Sequence, residues 1–220
     1  MDEKLAVRRR ILDAAAESFS REGFAGARVE RIAKAAGVNK AGLYYHVGNK
    51  ARLFEEVMVE LFSQMADRLE AAMAAAESPA QSLDILVRAL AQAFEDGPAQ
   101  ARIMLIEVAR GGLNVSEKVM HQVERVFLCT AQAVRRGVEG GQRLPENPFF
   151  VHMCMVGSLS LFALSGPIRA RVANMGLGRR NGIDPTAPLG EMAEFLVGLF
   201  QRGLAVPPPK AQEEKRSCDA

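Results

Sequence analysis

The sequence predicts an all-α fold of about nine helices, and three observations carry that expectation. Sustained apolar–polar alternation is missing, and no hairpin turn sits between alternating runs, so strand signals are scarce. Ala, Leu, Glu, Arg and Met recur throughout, all good helix formers. Helix caps and breakers punctuate the chain at intervals that leave room for helices and little else. The chain has 220 residues, 49% hydrophobic and 25% charged, enough to bury a core and unlike a disordered segment.

Taken in order, Ile11, Leu12, Ala15, Ala16 and Phe19 recur at helical spacing and give the first helix an apolar face. Two short helices follow within Val29–Lys50. A long helix runs from Ala51 to about Ala76, with Asn49 placed to cap it. Ser78-Pro79-Ala80-Gln81 has capping-box form, and further starts are signalled by Gly97-Pro98, by Asn114 with Glu117, by Asn147-Pro148 and by Thr186 with Pro188. Breaks are expected at Glu77–Pro79, Asp96–Pro98, Gly111–Asn114, Gly137–Asn147 and Gly166–Pro188, the last as an irregular connector holding Gly176–Gly182. That glycine run lacks a preceding strand and the spacing of a dinucleotide loop.

Charge divides the chain unevenly. The total is only +2, but residues 1–50 hold ten Lys/Arg and six Asp/Glu, so the first quarter is basic and the remainder slightly acidic. The divisions expected are residues 1–50 as a nucleic-acid module, 51–205 as a helical body, and 206–220 as a disordered tail beginning at Pro207-Pro208-Pro209. Phe149–Leu164 is apolar nearly all round but shorter than the roughly 20 residues of a membrane span, so it reads as a covered core helix. Met192, Phe195, Leu196, Leu199, Phe200 and Gly203 form one sticky face on the last helix. Together these features predict a homodimer through the last two helices, the alternative being a monomeric bundle that buries them internally.

Cys129, Cys154 and Cys218 have neither metal nor disulfide spacing and read as reduced thiols, a redox role for Cys129 and Cys154 staying open. No metal, no cofactor and no enzymatic activity are expected: no nucleophile–base pair, HExxH, CxxC or phosphate loop occurs, and His121 with Glu124 is a lone pair. Met1–Arg10 is charged without an apolar signal core, which predicts a cytoplasmic protein away from membranes.

The stretch VERIAKAAGVNKAGLYYHVGNK, Val29–Lys50, has the layout of a helix-turn-helix. Ile32 and Ala33 lie on its first helix, Ala33 being small enough for two helices to cross closely. Gly37 accepts the left-handed backbone of the turn, and Val38, Leu43 and Val47 anchor the second helix. At about 100° per residue Leu43 and Val47 face inward, Ala41 and Tyr45 outward, with Gly42 and Tyr44 on the flanks. Asn39 caps this helix, Lys40 is placed to bond guanine, and the Ala41 methyl to touch thymine. Lys50 brings a charge to the start of the next helix. Arg8-Arg9-Arg10 reads either as a solvated helix start or as a phosphate-contacting arm.

Here the sequence resembles the TetR family of bacterial transcriptional regulators. The resemblance runs from Ile11-Leu12-Asp13-Ala14-Ala15 through Phe19, Gly23-Phe24, Val29, Ile32-Ala33, Ala36-Gly37-Val38, Leu43-Tyr44-Tyr45-His46 and Asn49-Lys50 to Leu53, with a fainter closing pattern at Phe200–Leu204. It implies base contacts from Lys40, Ala41, Gly42 and Tyr44, and phosphate contacts from Tyr45, His46 and Lys50. Arg28, whose guanidinium seeks phosphate, and Asn39 are added to the phosphate set outside the resemblance. Two positions depart from the family pattern. Arg28 stands where Ser or Thr usually caps the helix, so a capping bond is expected to be lost. Glu30 stands where an Arg often touches DNA; its carboxylate repels phosphate or accepts from cytosine, with Arg31 placed to hold it back.

The function expected is therefore a sequence-specific, homodimeric repressor on double-stranded DNA with a pseudo-palindromic operator, released by a small hydrophobic or amphipathic effector. Met104, Phe127, Phe149, His152, Met153 and Phe162 are the candidates to line an effector pocket, although Met and Phe at helical spacing also make ordinary core. A constitutive DNA-binding regulator without an effector, and a helical enzyme or carrier for hydrophobic molecules, are the competing readings.

Overall fold

Ten α-helices and one short 3-10 turn make up the computed structural model, which describes residues 2–145, 147–176 and 184–202. The helices are α1 Asp2–Gly26, α2 Val29–Ala35, α3 Lys40–Val47, α4 Lys50–Ala74, α5 Ser82–Asp96, α6 Ala99–Ala109, α7 Glu117–Glu139, α8 Pro148–Leu164, α9 Gly166–Asn174 and α10 Leu189–Arg202. The all-α expectation holds, and no strand occurs among the described residues. No single described helix is long and apolar enough to cross a membrane.

Two apolar cores share one helix. The first gathers Ile11, Ala15 and Phe19 of α1, Ile32 of α2, Leu43 and Val47 of α3, and Leu53, Phe54, Val57, Met58 and Phe62 of α4. Ile103 of α6 and Val119 of α7 complete it. The second joins Met65, Ala66, Leu69 and Met73 of α4 to α5, α7, α8 and α10. The 25 residues of α4 rise about 1.5 Å each, enough to run through both layers. A division at residue 50 therefore separates helices but not cores: the head packs on the first half of α4. Arg125 of α7 fastens the second half, reaching Asp67 at 2.6 Å and Glu70 at 2.7 Å, and these carboxylates hold the guanidinium protonated more firmly than usual.

Several local expectations change. Ser78–Gln81 does not start an α-helix: Pro79–Gln81 is a 3-10 turn, and Ser78 makes no side-chain cap. Asn114 does not open α7 either. Its amide donates to the buried Glu107 carboxylate at 2.9 Å, and the helix starts three residues later behind Ser116. The expected break at Gly166–Pro188 contains α9, because Pro167 sits in the first turn, where its missing N–H is no loss, and good helix formers follow.

The two C-terminal apolar helices are less covered than expected of core. On α8 only Val151, Met155, Leu159 and Ser160 are buried, while Phe149, Phe150, Met153 and Leu161 stand exposed. The sticky face of α10 divides: Leu196 and Phe200 go into the body core, Met192 and Leu199 lie at its edge, and Phe195 faces outward. Gly203 and Leu204, the tail 206–220 with Cys218, and most of the Gly176–Gly182 connector lie outside the described residues.

Candidate nucleic-acid interface

The turn between α2 and α3 is built from backbone bonds that the sequence specifies. Gly37 sits at φ +70, its N–H donates to the Lys34 carbonyl at 3.2 Å, and the Val38 N–H donates to the Ala33 carbonyl at 3.0 Å. This pair of bonds closes α2 with a left-handed glycine and places Val38 over Ala33. Arg10 of α1 adds a third tie, Nε donating to the Ala36 carbonyl at 3.2 Å. Asn39 then opens α3, its Oδ1 accepting from the Gly42 N–H at 2.7 Å. Asn49 repeats the device for α4, accepting from Arg52 N–H at 2.8 Å, so each of two consecutive helices is started by its own side-chain cap. Arg28 gives α2 none.

Burial sorts the helix-turn-helix residues by face. Ile32, Ala33, Leu43 and Val47 are buried, and Val38 is partly so at the edge of the first core. Ala41 and Tyr45 face outward, Tyr45 with three-quarters of its surface accessible. Tyr44 lies half-buried against the core. Gly42 has a role that sequence reading missed: it supplies the capped N–H, and a Cβ there would stand 3.2 Å from Asn39 Oδ1. His46 packs edge-on to Tyr45 and buries Nδ1 without a partner.

The cations of the head separate into paired and unpaired sets. Arg8 bridges to Glu56 at 2.9 Å, and Arg9 reaches both Asp13 and Glu60, so the first two members of the arginine triplet strap α1 to α4 while Arg10 holds the turn. Arg31 is not beside Glu30; it pairs with Glu22 at 2.6 Å. Glu30 is instead held by Lys40 Nζ at 2.6 Å. That contact pulls the Glu30 carboxyl below its ordinary range and raises Lys40. Among the described residues Arg28, Lys34 and Lys50 enter no ion pair. The Lys50 ammonium lies 4.8 Å above the Phe24 ring, and partial burial there lowers its affinity for the proton. Lys4 lies over Tyr45 at 5.1 Å.

The six effector-pocket candidates do not converge. Met104 flanks the first core; Phe127, Phe149 and His152 form an aromatic group between α7 and α8; Met153 is exposed; and Phe162 carries the Arg169 guanidinium 3.8 Å above its ring. Thr130 Oγ1 and His152 Nδ1 are hydrogen-bonded at 2.9 Å, and burial pushes the His152 pKa down. A cleft beside the body core, of about 160 Å³, runs between α4 and the α5–α6 junction and is lined by other residues, among them Gln64, Met65, Arg68 and Gln100.

Residues 11–57 match the family described as bacterial regulatory proteins, tetR family. The transcriptional regulator RutR of Escherichia coli K12 is 25% identical over 143 residues, 65% of this chain and 67% of RutR. The transcriptional repressor NicS of Pseudomonas putida is 34% identical over 107 residues, 47% of this chain and 49% of NicS. In fold the chain is similar to AibR, solved in complex with isovaleryl coenzyme A and operator DNA, with a TM-score of 0.68, 17% identity, and coverage of 89% of this chain and 98% of AibR. With the capped helix-turn-helix in place, residues 11–57 are similar to the tetR family of bacterial regulatory proteins, and the helical layout of the chain is shared with AibR along most of its length.

Proposed function

We propose that this regulator acts in the bacterial cytoplasm as a homodimer that reads a pseudo-palindromic operator on double-stranded DNA and represses transcription. The observation that carries the reading is α3, capped at Asn39, buried on Leu43 and Val47, and presenting Lys40, Ala41 and Tyr45 outward. A helix fixed on one face and open on the other suits a major groove. Lys40, Ala41, Gly42 and Tyr44 are proposed to meet bases, with Gly42 acting mainly through the cap it completes. Arg28, Asn39, Tyr45, His46 and Lys50 are proposed to hold phosphates. The uncovered apolar residues of α8 and Phe195 of α10 supply the face for the second copy, as one chain leaves them in water.

A small hydrophobic or amphipathic effector is the proposed release signal, and acyl thioesters of coenzyme A, the ligand class of AibR, are the first to test. The packed second core, with a cleft of about 160 Å³ beside it, supports a second reading, in which the chain binds DNA constitutively; the larger clefts, about 450 and 430 Å³, lie against the first half of α4 beside the head. Sedimentation of the protein with a random duplex pool tests the assembly. Two chains per duplex, reduced to one or none by Phe195→Glu, is the expected result; one chain per duplex in the native protein overturns the dimer. Loss of the bound duplex on adding isovaleryl or long-chain acyl coenzyme A supports release, and unchanged binding across that series supports the constitutive reading.

A further inference from the structure

Lys40 and Glu30 come from different helices, the first residue of α3 and the first turn of α2, yet their charged atoms meet 2.6 Å apart on the open face of the head. Both side chains remain more than half exposed. An exposed ion pair adds little to stability, so a stabilising role explains it poorly. Its consequence for DNA is larger. The pair presents a cluster of donors beside a cluster of acceptors, and it cancels a charge that would otherwise push phosphate away.

From this juxtaposition we infer that Glu30 and Lys40 act as one reading unit for a single G·C base pair, Lys40 donating to guanine and Glu30 accepting from the cytosine amino group. The inference rests on the DNA-reading function proposed above. An ammonium has donors to spare after one is given to Glu30, and a carboxylate keeps lone pairs after accepting it. In the major groove, guanine offers two adjacent acceptors, N7 and O6, and the paired cytosine offers the N4 donor beside O6. A G·C pair thus satisfies two donors and one acceptor of the unit at once. An A·T pair separates its two acceptors, adenine N7 and thymine O4, by the adenine amino group, so an ammonium placed beside that donor reaches only one of them. Lys40 also lies 5.9 Å from the Tyr44 ring, which limits the directions its stem can take.

The experiment is selection of random duplexes on the full chain near physiological salt, repeated with Glu30→Ala, Lys40→Ala and the double variant, with sequence preference read column by column. Both residues are exposed, and unchanged circular dichroism and melting confirm that each variant folds. The expected result is one G·C column per half-site whose preference falls about tenfold in each single variant and no further in the double variant, all other columns being kept. Relaxation of different columns, a shared A·T column, or a uniform gain in affinity with Glu30→Ala overturns the unit. A native protein that enriches no sequence removes the DNA-reading function itself, a result separate from these.

Discussion

The Cγ2 methyl of Ile106 lies 2.8 Å from where a Cβ on Gly23 would stand, so α6 of the body closes directly on the backbone of α1. Gly23 sits at φ 65, ψ 178, a region that glycine occupies almost alone. It bends α1 so that Phe24 can meet Phe54 of α4 at 5.2 Å. Gly23→Ala therefore meets both a backbone penalty and a steric one. The expected loss is about 2–3 kcal/mol, a fall in Tm of roughly 5–10 °C for a domain of this size, measured by thermal denaturation. An unchanged Tm contradicts the joint.

Asn39→Ala removes the cap of α3 and should cost about 1 kcal/mol in chemical denaturation, while Asn39→Ser retains most of it. The same substitution loosens the helix that carries Lys40 and Tyr45, so DNA affinity should fall as well. A loss of stability without a loss of affinity would separate the cap from the reading face.

Lys50→Ala should weaken binding to all duplexes alike and flatten the log–log dependence of affinity on salt by about one unit, since one phosphate contact is lost. Tyr44→Ala should instead change which sequences are preferred. Titrations at several salt concentrations distinguish them, and an unchanged slope removes Lys50 from the phosphate set.

His152 contributes a pH dependence of definite sign. Burial beside Phe127 lowers its pKa in the folded state below the ordinary value of about 6.5, so below that value the unfolded chain binds the proton more readily. Its contribution to stability is present above pH 6.5, roughly, and is lost as pH falls through the folded pKa. His152→Gln should flatten stability against pH in that range relative to the native chain. Parallel pH curves for the two proteins would contradict this.

What was legible in the sequence followed from local chemistry. Asn39, Asn49 and Asn147 cap helices where they stand, because a short side chain two or three residues ahead of a free N–H needs no tertiary help. Gly37 marked the turn for the same reason. The partner of Glu30 was not legible. Arg31 is its neighbour in sequence, but adjacent residues on a helix point apart, and only the crossing of α2 and α3 brings Lys40 to it. The division of α10, with Leu196 and Phe200 inward and Phe195 outward, likewise depends on where α5 and α8 pack. Pro167 misled because proline ends one helix and begins the next with equal ease.

The most direct test of the central claim is the sequence content of duplexes retained from a random pool near 0.15 M salt. The account predicts enrichment of a pseudo-palindrome with half-sites spaced by about one helical turn or a multiple of it. Retention that vanishes with added salt and enriches no sequence would contradict it.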